Sequence, residues 1–167
     1  MYCSGNYQLA ELNGEWKAGI TAGGSRNDLE LFSTNPQFLL SVGPKENHRT
    51  SVESYYSEEN KFNKIMVSIC LEQNQEKPLS HVAYFIYKTD KEERLSAEYF
   101  LVVPPEGDTG AFVNWRQLRH EFRLSPGLYV IIPATFLPNI VRKFTLTIQT
   151  FPPFYLKELP NCDQSLQ

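Results

Sequence analysis

Cysteine is scarce in this chain: 167 residues hold three, Cys3, Cys70 and Cys162. An odd, sparse count builds no disulfide framework and fits a reducing compartment, so a cytoplasmic location is expected. No stretch approaches the roughly 20 apolar residues of a membrane span. The polar, mixed residues 1–10 lack the apolar segment of a secretory signal. Asn-x-Ser/Thr sequons are absent. The histidines are His48, His81 and His120, and neither they nor the cysteines show metal-ligand spacing. Aspartate is equally thin. Asp28, Asp90, Asp108 and Asp163 each stand alone, whereas calcium wants six to eight oxygens, several of them from carboxylates. The acidic pairs Glu58-Glu59 and Glu92-Glu93 read as solvated loop charge. Gly23-Gly24 lacks the Lys-Ser/Thr pair of a phosphate loop and reads as a turn. Excess positive charge is missing too: the net charge is −3 and the pI near 5.6, which excludes nucleic-acid binding through bulk charge.

What the chain does hold is strand pattern. Ile65, Val67, Ile69 and Leu71 alternate with Met66, Ser68, Cys70 and Glu72. Leu118, His120, Phe122 and Leu124 alternate with Arg119, Glu121 and Arg123, and Phe144, Leu146 and Ile148 with Thr145, Thr147 and Gln149. Val82–Tyr87 and Leu128–Ile132 are continuous apolar runs, as in strands buried on both faces. Gln37–Val42, Ser51–Tyr55, Leu95–Val103 and, more weakly, Trp16–Ala22 are further strand candidates. Glu92–Phe100 also suits a turn of helix. Asn35-Pro36, Gly43-Pro44, Pro104-Pro105, Pro126-Gly127 and Pro138-Asn139 punctuate these runs. About eight short strands without alternating helices predict an all-β antiparallel sandwich. Its inner faces are supplied by the alternation.

Few residues offer chemistry. Cys70 lies out of phase with the apolar face of its strand, without a sequence neighbour that lowers a thiol pKa, and reads as a small structural thiol. A free-standing enzyme with Cys70 as nucleophile needs a histidine and an oxyanion hole that the sequence does not point to. The basic residues Arg116, Arg119, Arg123, Arg142 and Lys143 are the candidate contact set, for an acidic protein face or an anionic lipid. Arg119, Glu121 and Arg123 share parity and project from one face of a regular strand. Trp115 reads as a cap on the core.

Gly14-Glu15-Trp16, Gly19–Gly24, Asn27 and Asn35-Pro36-Gln37-Phe38 together resemble the opening of the third domain of calpains. The resemblance continues through Ile65–Gln73 and Val82–Lys88. It is densest at Phe112-Val113-Asn114, Arg116, Phe122–Thr135, Phe136, Pro138 and Asn139, and it closes on Phe144–Gln149. It spans about Glu11 to Thr150, so the expected layout is a tail or edge segment at 1–10, a C2-like sandwich at 11–150 and a linker or tail at 151–167.

The resemblance implies a non-catalytic regulatory and docking domain of an intracellular, calcium-dependent cysteine protease, whose catalytic residues lie in another domain. The implied partners are the protease core and flanking domains of the same chain, with anionic phospholipid as a further one. The alternative is a calcium-independent membrane-targeting C2-like module. No catalytic, metal or cofactor residue is carried over. Where conventional members carry a dense acidic loop, Gln73–Ser80 offers Glu76 beside Lys77, which argues against direct calcium switching here. Ser25 stands where many members have cysteine.

Overall fold

The structure, a computed structural model, describes residues 7–44 and 64–161. Ser51–Tyr55, His48, Glu58-Glu59, Cys3, Cys162 and Asp163 lie outside them. The period-two segments form strands, and the strands build two antiparallel sheets. In chain order the elements are β1 (Gln8–Trp16), α1 (Leu29–Phe32), β2 (Gln37–Val42), β3 (Ile65–Gln73), β4 (Val82–Thr89) and α2 (Ala97–Val102), followed by β5 (Gly107–Asp108), β6 (Gln117–Leu124), β7 (Gly127–Thr135), β8 (Arg142–Thr150) and β9 (Phe154–Leu159). One sheet runs β1-β8-β3-β6 and the other β5-β4-β7-β2-β9.

The expected all-β sandwich is what forms, and its inner faces are the alternating apolar sets. Val67, Ile69 and Leu71 of β3, Leu118 and Leu124 of β6, and Phe144, Leu146 and Ile148 of β8 meet Phe38, Leu40, Tyr84, Ile86, Tyr129 and Ile131 of the opposite sheet in one buried cluster. Trp16 is fully buried in that core and donates from Nε1 across the sandwich to the Pro133 carbonyl at 3.1 Å. The continuous runs in β4 and β7 follow from a second layer. Leu39, Ala83, Phe85, Tyr87, Val130 and Ile132 on the outer face of the five-stranded sheet are covered by Phe32 of α1, and by Leu95 and Phe100 around α2. Among the described residues the four-stranded sheet has no such cover, and its outer face is mostly polar.

Three segments depart from the sequence expectation. Leu95–Val103 is not a strand: Ser96 caps α2, its side chain accepting from the Tyr99 amide, and the aromatics Tyr99 and Phe100 pack down on the sheet. Trp16–Ala22 is not one either. Trp16 ends β1, and the chain turns when the amides of Ile20, Thr21 and Ala22 all donate to the Lys17 carbonyl. The strand therefore precedes the tryptophan, and Gln8–Ala10 belong to an edge strand paired with Ile148–Thr150. Past Thr150, where a linker or tail is expected, Pro152-Pro153 end β8 but not the sheet. β9 pairs with β2 from Gln37↔Leu159 to Val42↔Phe154.

Candidate functional site

The basic candidates divide into two groups. β6 is an edge strand, and its alternation sends Leu118 and Leu124 inward and Arg119, Glu121 and Arg123 out to solvent. Arg119 stands opposite Cys70, Glu121 opposite Ser68 and Arg123 opposite Met66. Arg116, Arg142 and Lys143 belong instead to one end of the sandwich, where β1 and β3 finish and β6 and β8 begin. Arg116 donates from Nη1 to the carbonyls of Gln73 (3.0 Å) and Gln75 (2.8 Å). Lys143 lies across from Glu15, and its carbonyl accepts from the Asn74 amide at 3.0 Å. A depression of about 260 Å³ opens here, lined by Glu15, Asn74, Gln75, Val141, Arg142 and Lys143.

The organiser of this end is Gln73, which sequence reading passes over because it stands last in its strand. It is fully buried. Its Nε2 donates to the Ser80 carbonyl at 2.8 Å and the Trp115 carbonyl at 2.9 Å, and its Oε1 accepts from the Ser80 amide at 2.9 Å. One side chain thus ties the β3–β4 connection to the β5–β6 connection. This segment does not fit a calcium site. Gln73 is committed to backbone partners, Glu76 is the single carboxylate between 73 and 80, and no cluster of three His, Cys, Asp or Glu able to hold a metal occurs among the described residues.

Trp115 overturns its assignment to the core. It is 57% exposed, since its backbone carbonyl, not its ring, is what the Gln73 clamp engages. Cys70 is buried, as a structural thiol should be, but it does have a cationic neighbour. Arg119 sits across the β3–β6 ladder, a relation that only strand pairing creates. Burial pushes the thiol pKa up, more than the nearby Arg119 charge pulls it down. The two described histidines do not partner Cys70 as bases. The His120 ring stacks near Phe122 (centroids 6.2 Å apart) on the inner side of β6, and His81 is an exposed residue at the loop end. A thiol held neutral and covered, without an imidazole partner, is not an activated nucleophile.

Comparison with known proteins gives one consistent family. The sequence model described as calpain large subunit, domain III, matches residues 12–149. Calpain-9 of Homo sapiens is 34% identical over 150 residues, which cover 85% of this chain and 20% of the relative. The calpain-2 catalytic subunit of Bos taurus is 26% identical over 144 residues (80% of this chain, 20% of the relative). Calpain-A of Drosophila melanogaster is 28% identical over 148 residues (85% and 17%). The chain therefore spans about a fifth of the length of the curated relatives it matches.

Proposed function

From the premise that the chain belongs to the calpain large-subunit domain III family, we propose that it is a non-catalytic regulatory and docking domain of a calpain-type, intracellular cysteine endopeptidase. The observation that carries this reading is that the described residues hold no activated nucleophile. The one described cysteine is buried at 4% exposure, and neither described histidine, His81 or His120, is hydrogen-bonded to it as a base. Catalysis, and the calcium dependence implied for the parent family, then reside in other parts of the protease.

The mechanism is positional. Two sheets locked through a shared core form a rigid body, and contact of one face with the protease core biases that core between arrangements of different activity. Arg119 and Arg123, exposed on the outer face of the four-stranded sheet, are the proposed contacts for an acidic face of that partner. Glu121 between them fixes register rather than adding attraction, because a like-signed partner residue opposite it is disfavoured.

The test is a binding titration of the 167-residue chain against a calpain protease core. The double variant Arg119→Glu/Arg123→Glu should weaken the complex by tenfold or more, on the order of 1.4 kcal/mol, with a steeper loss at low salt. Equal affinity of the variant and the parent chain at low salt would remove the β6 face from the interface.

A further inference from the structure

The hydrogen-bonding phase of β6 is set where the strand begins. The Gln73 amide donates to the Arg116 carbonyl at 2.9 Å, which makes these two a bonded pair across the β3–β6 ladder. In an antiparallel ladder, alternate residues turn their backbone groups to opposite sides. Leu118, His120, Phe122 and Leu124 share the parity of Arg116 and turn theirs toward β3. Arg119, Glu121 and Arg123 turn theirs the other way, and among the described residues no strand pairs with that edge. The edge therefore presents amides, carbonyls and exposed side chains along one line, with charges in the order plus, minus, plus.

The inner face of β6 is incompletely covered in the same place. Leu118 and Leu124 are buried, but His120 and Phe122 between them are half-buried, with their rings edge-on to Tyr84. The opposite sheet ends over this strand in the two residues of β5, where a methyl built on Gly107 would stand 3.0 Å from the Phe122 ring. A long edge with open backbone is a template for another strand, and proline or a bulge is a common way to blunt it. β6 has neither: it holds no proline, and its register runs unbroken from Ile65↔Leu124 to Glu72↔Gln117. β1, at the other edge of the sheet, has only acids among its charged residues, Glu11 and Glu15.

We propose that the free edge of β6 takes up an extended segment of a partner protein as a further antiparallel strand. The inference rests on the reading of β6 as the docking strand and adds the mode of contact, backbone to backbone. The segment that fits alternates charged and apolar residues. Its outward side chains run acidic, basic, acidic, opposite Arg119, Glu121 and Arg123. Its inward side chains are apolar and lie beside His120 and Phe122. Main-chain hydrogen bonds supply the affinity, and the alternate side chains supply the choice of partner. Register follows from the charges. Opposite charges face to face across a ladder favour pairing and like charges oppose it. A slip of two residues brings like charges together, and a slip of one turns the apolar side chains out to solvent.

The probe is a capped, fluorophore-labelled peptide, Thr-Glu-Val-Lys-Val-Glu-Thr, titrated with the 167-residue chain and followed by anisotropy. Two N-methylated forms decide the mode. Methyl groups on both valine amides lie on the side away from β6 and should leave affinity within about twofold, whereas methyl groups on the lysine amide and one glutamate amide remove bonds to β6 and should lower it at least about tenfold. Arg119→Glu/Arg123→Glu should weaken the first peptide at least about tenfold, and a peptide with its charges reversed should bind that variant in preference to the parent chain. Amide exchange at Arg119, Glu121 and Arg123 should slow when the peptide binds, while exchange at His120 and Phe122, which face β3, should not. Binding by none of the peptides, equal effects of the two methylated forms, or unchanged exchange at the three amides would overturn strand addition. Dimerisation of the chain that the double variant abolishes would assign the edge to a second copy and overturn it as well. A protease core that binds where the peptides fail leaves β6 as a docking face and removes strand addition alone. Peptides that bind where the core does not remove the core as the partner and leave strand addition standing.

Discussion

The Tyr84 hydroxyl donates to the Ile69 carbonyl at 2.6 Å, which joins the two sheets by a buried polar bond. Tyr84 belongs to β4 of the five-stranded sheet and Ile69 to β3 of the other, and both are fully buried. The same hydroxyl accepts from the amide of His120, the residue paired with Ile69 across the β3–β6 ladder, at 3.2 Å. A side chain of one layer is therefore a member of the other layer's backbone network, next to the edge strand that carries Arg119 and Arg123.

Tyr84→Phe keeps the ring in the core and removes this link. A net hydrogen bond is worth about 0.5–1.5 kcal/mol, and leaving the Ile69 carbonyl without its donor adds to that. The variant should lose about 1–3 kcal/mol in denaturant unfolding with an unchanged m-value. Amide exchange should accelerate along β6 more than along β8, since β6 is held on one edge only. Uniform exchange across the sheet would show that the hydroxyl does not anchor β6.

Tyr87 gives the opposite sign. Its hydroxyl is buried on the helix-covered face of β4 and finds no partner among the described residues, although Arg26 lies over its ring at 5.9 Å. Tyr87→Phe removes an unsatisfied polar atom and should stabilise the fold by about 1 kcal/mol near neutral pH. A loss of stability comparable to that of Tyr84→Phe would mean that the hydroxyl has a partner in solution.

Alkaline pH tests the same burial. Burial pushes the phenols of Tyr87 and Tyr129 up to about 12, and that of Tyr84 further. Between about pH 10 and pH 12 the unfolded chain loses phenolic protons that the folded chain keeps, so stability falls as pH rises through that window and is fully present below it. Two units at one site correspond to about 2–3 kcal/mol. Unfolding free energies at pH 8 and pH 11 should differ by at least that amount, and Tyr87→Phe should flatten the slope.

The Gln73 clamp predicts a local effect with a fluorescence readout. Gln73→Leu leaves the Ser80 amide and carbonyl and the Trp115 carbonyl without their partner, at a cost of about 2–3 kcal/mol. Because Trp115 is the exposed tryptophan, loosening of its loop should raise its accessibility to a quencher while Trp16 stays shielded. An unchanged quenching profile would show that Arg116 alone holds the loop.

Strand phase was legible because a half-buried strand writes its geometry into alternate residues. Ile69 and Leu118 could be assigned inward, and Arg119 and Arg123 outward, from parity alone. Parity could not tell which sheet carries a second layer. The double-sided burial of Val82–Tyr87 was readable, but the cover of Phe32 and Phe100 comes from helices of four and six residues, too short to show a helical period. β9 was hidden by the prolines that precede it, since proline signals the end of one strand without excluding another two residues later. The loop end held by Gln73 was hidden for a different reason. Asn74, Trp115 and Lys143 are far apart in sequence, and only the closure of the sandwich brings them to one end.

Gly23 lies where that closure is tightest. A methyl group built on it would stand 1.9 Å from the Leu31 carbonyl oxygen and 2.7 Å from Thr34 Oγ1. The Gly23 amide also donates to Asn35 Oδ1 at 3.0 Å, while the Asn35 amide group donates back to the Gly24 carbonyl at 2.9 Å. The glycine pair is thus held against the end of α1 by a buried asparagine, and the obstacle to a larger residue is backbone that cannot swing aside. Gly23→Ala must displace either α1, which covers the outer face of the five-stranded sheet through Phe32, or the turn that carries Ile20. We expect a destabilisation of about 3 kcal/mol or more, as for other overpacked or strained positions. Gly19→Ala is the control. Its φ of 73° is left-handed, but no atom lies within 4 Å of the added methyl, so only about 1 kcal/mol of backbone strain is expected. If thermal unfolding finds the two substitutions equal, the contact of Gly23 with α1 is looser than described, and the turn bearing Ile20 is not fixed by it.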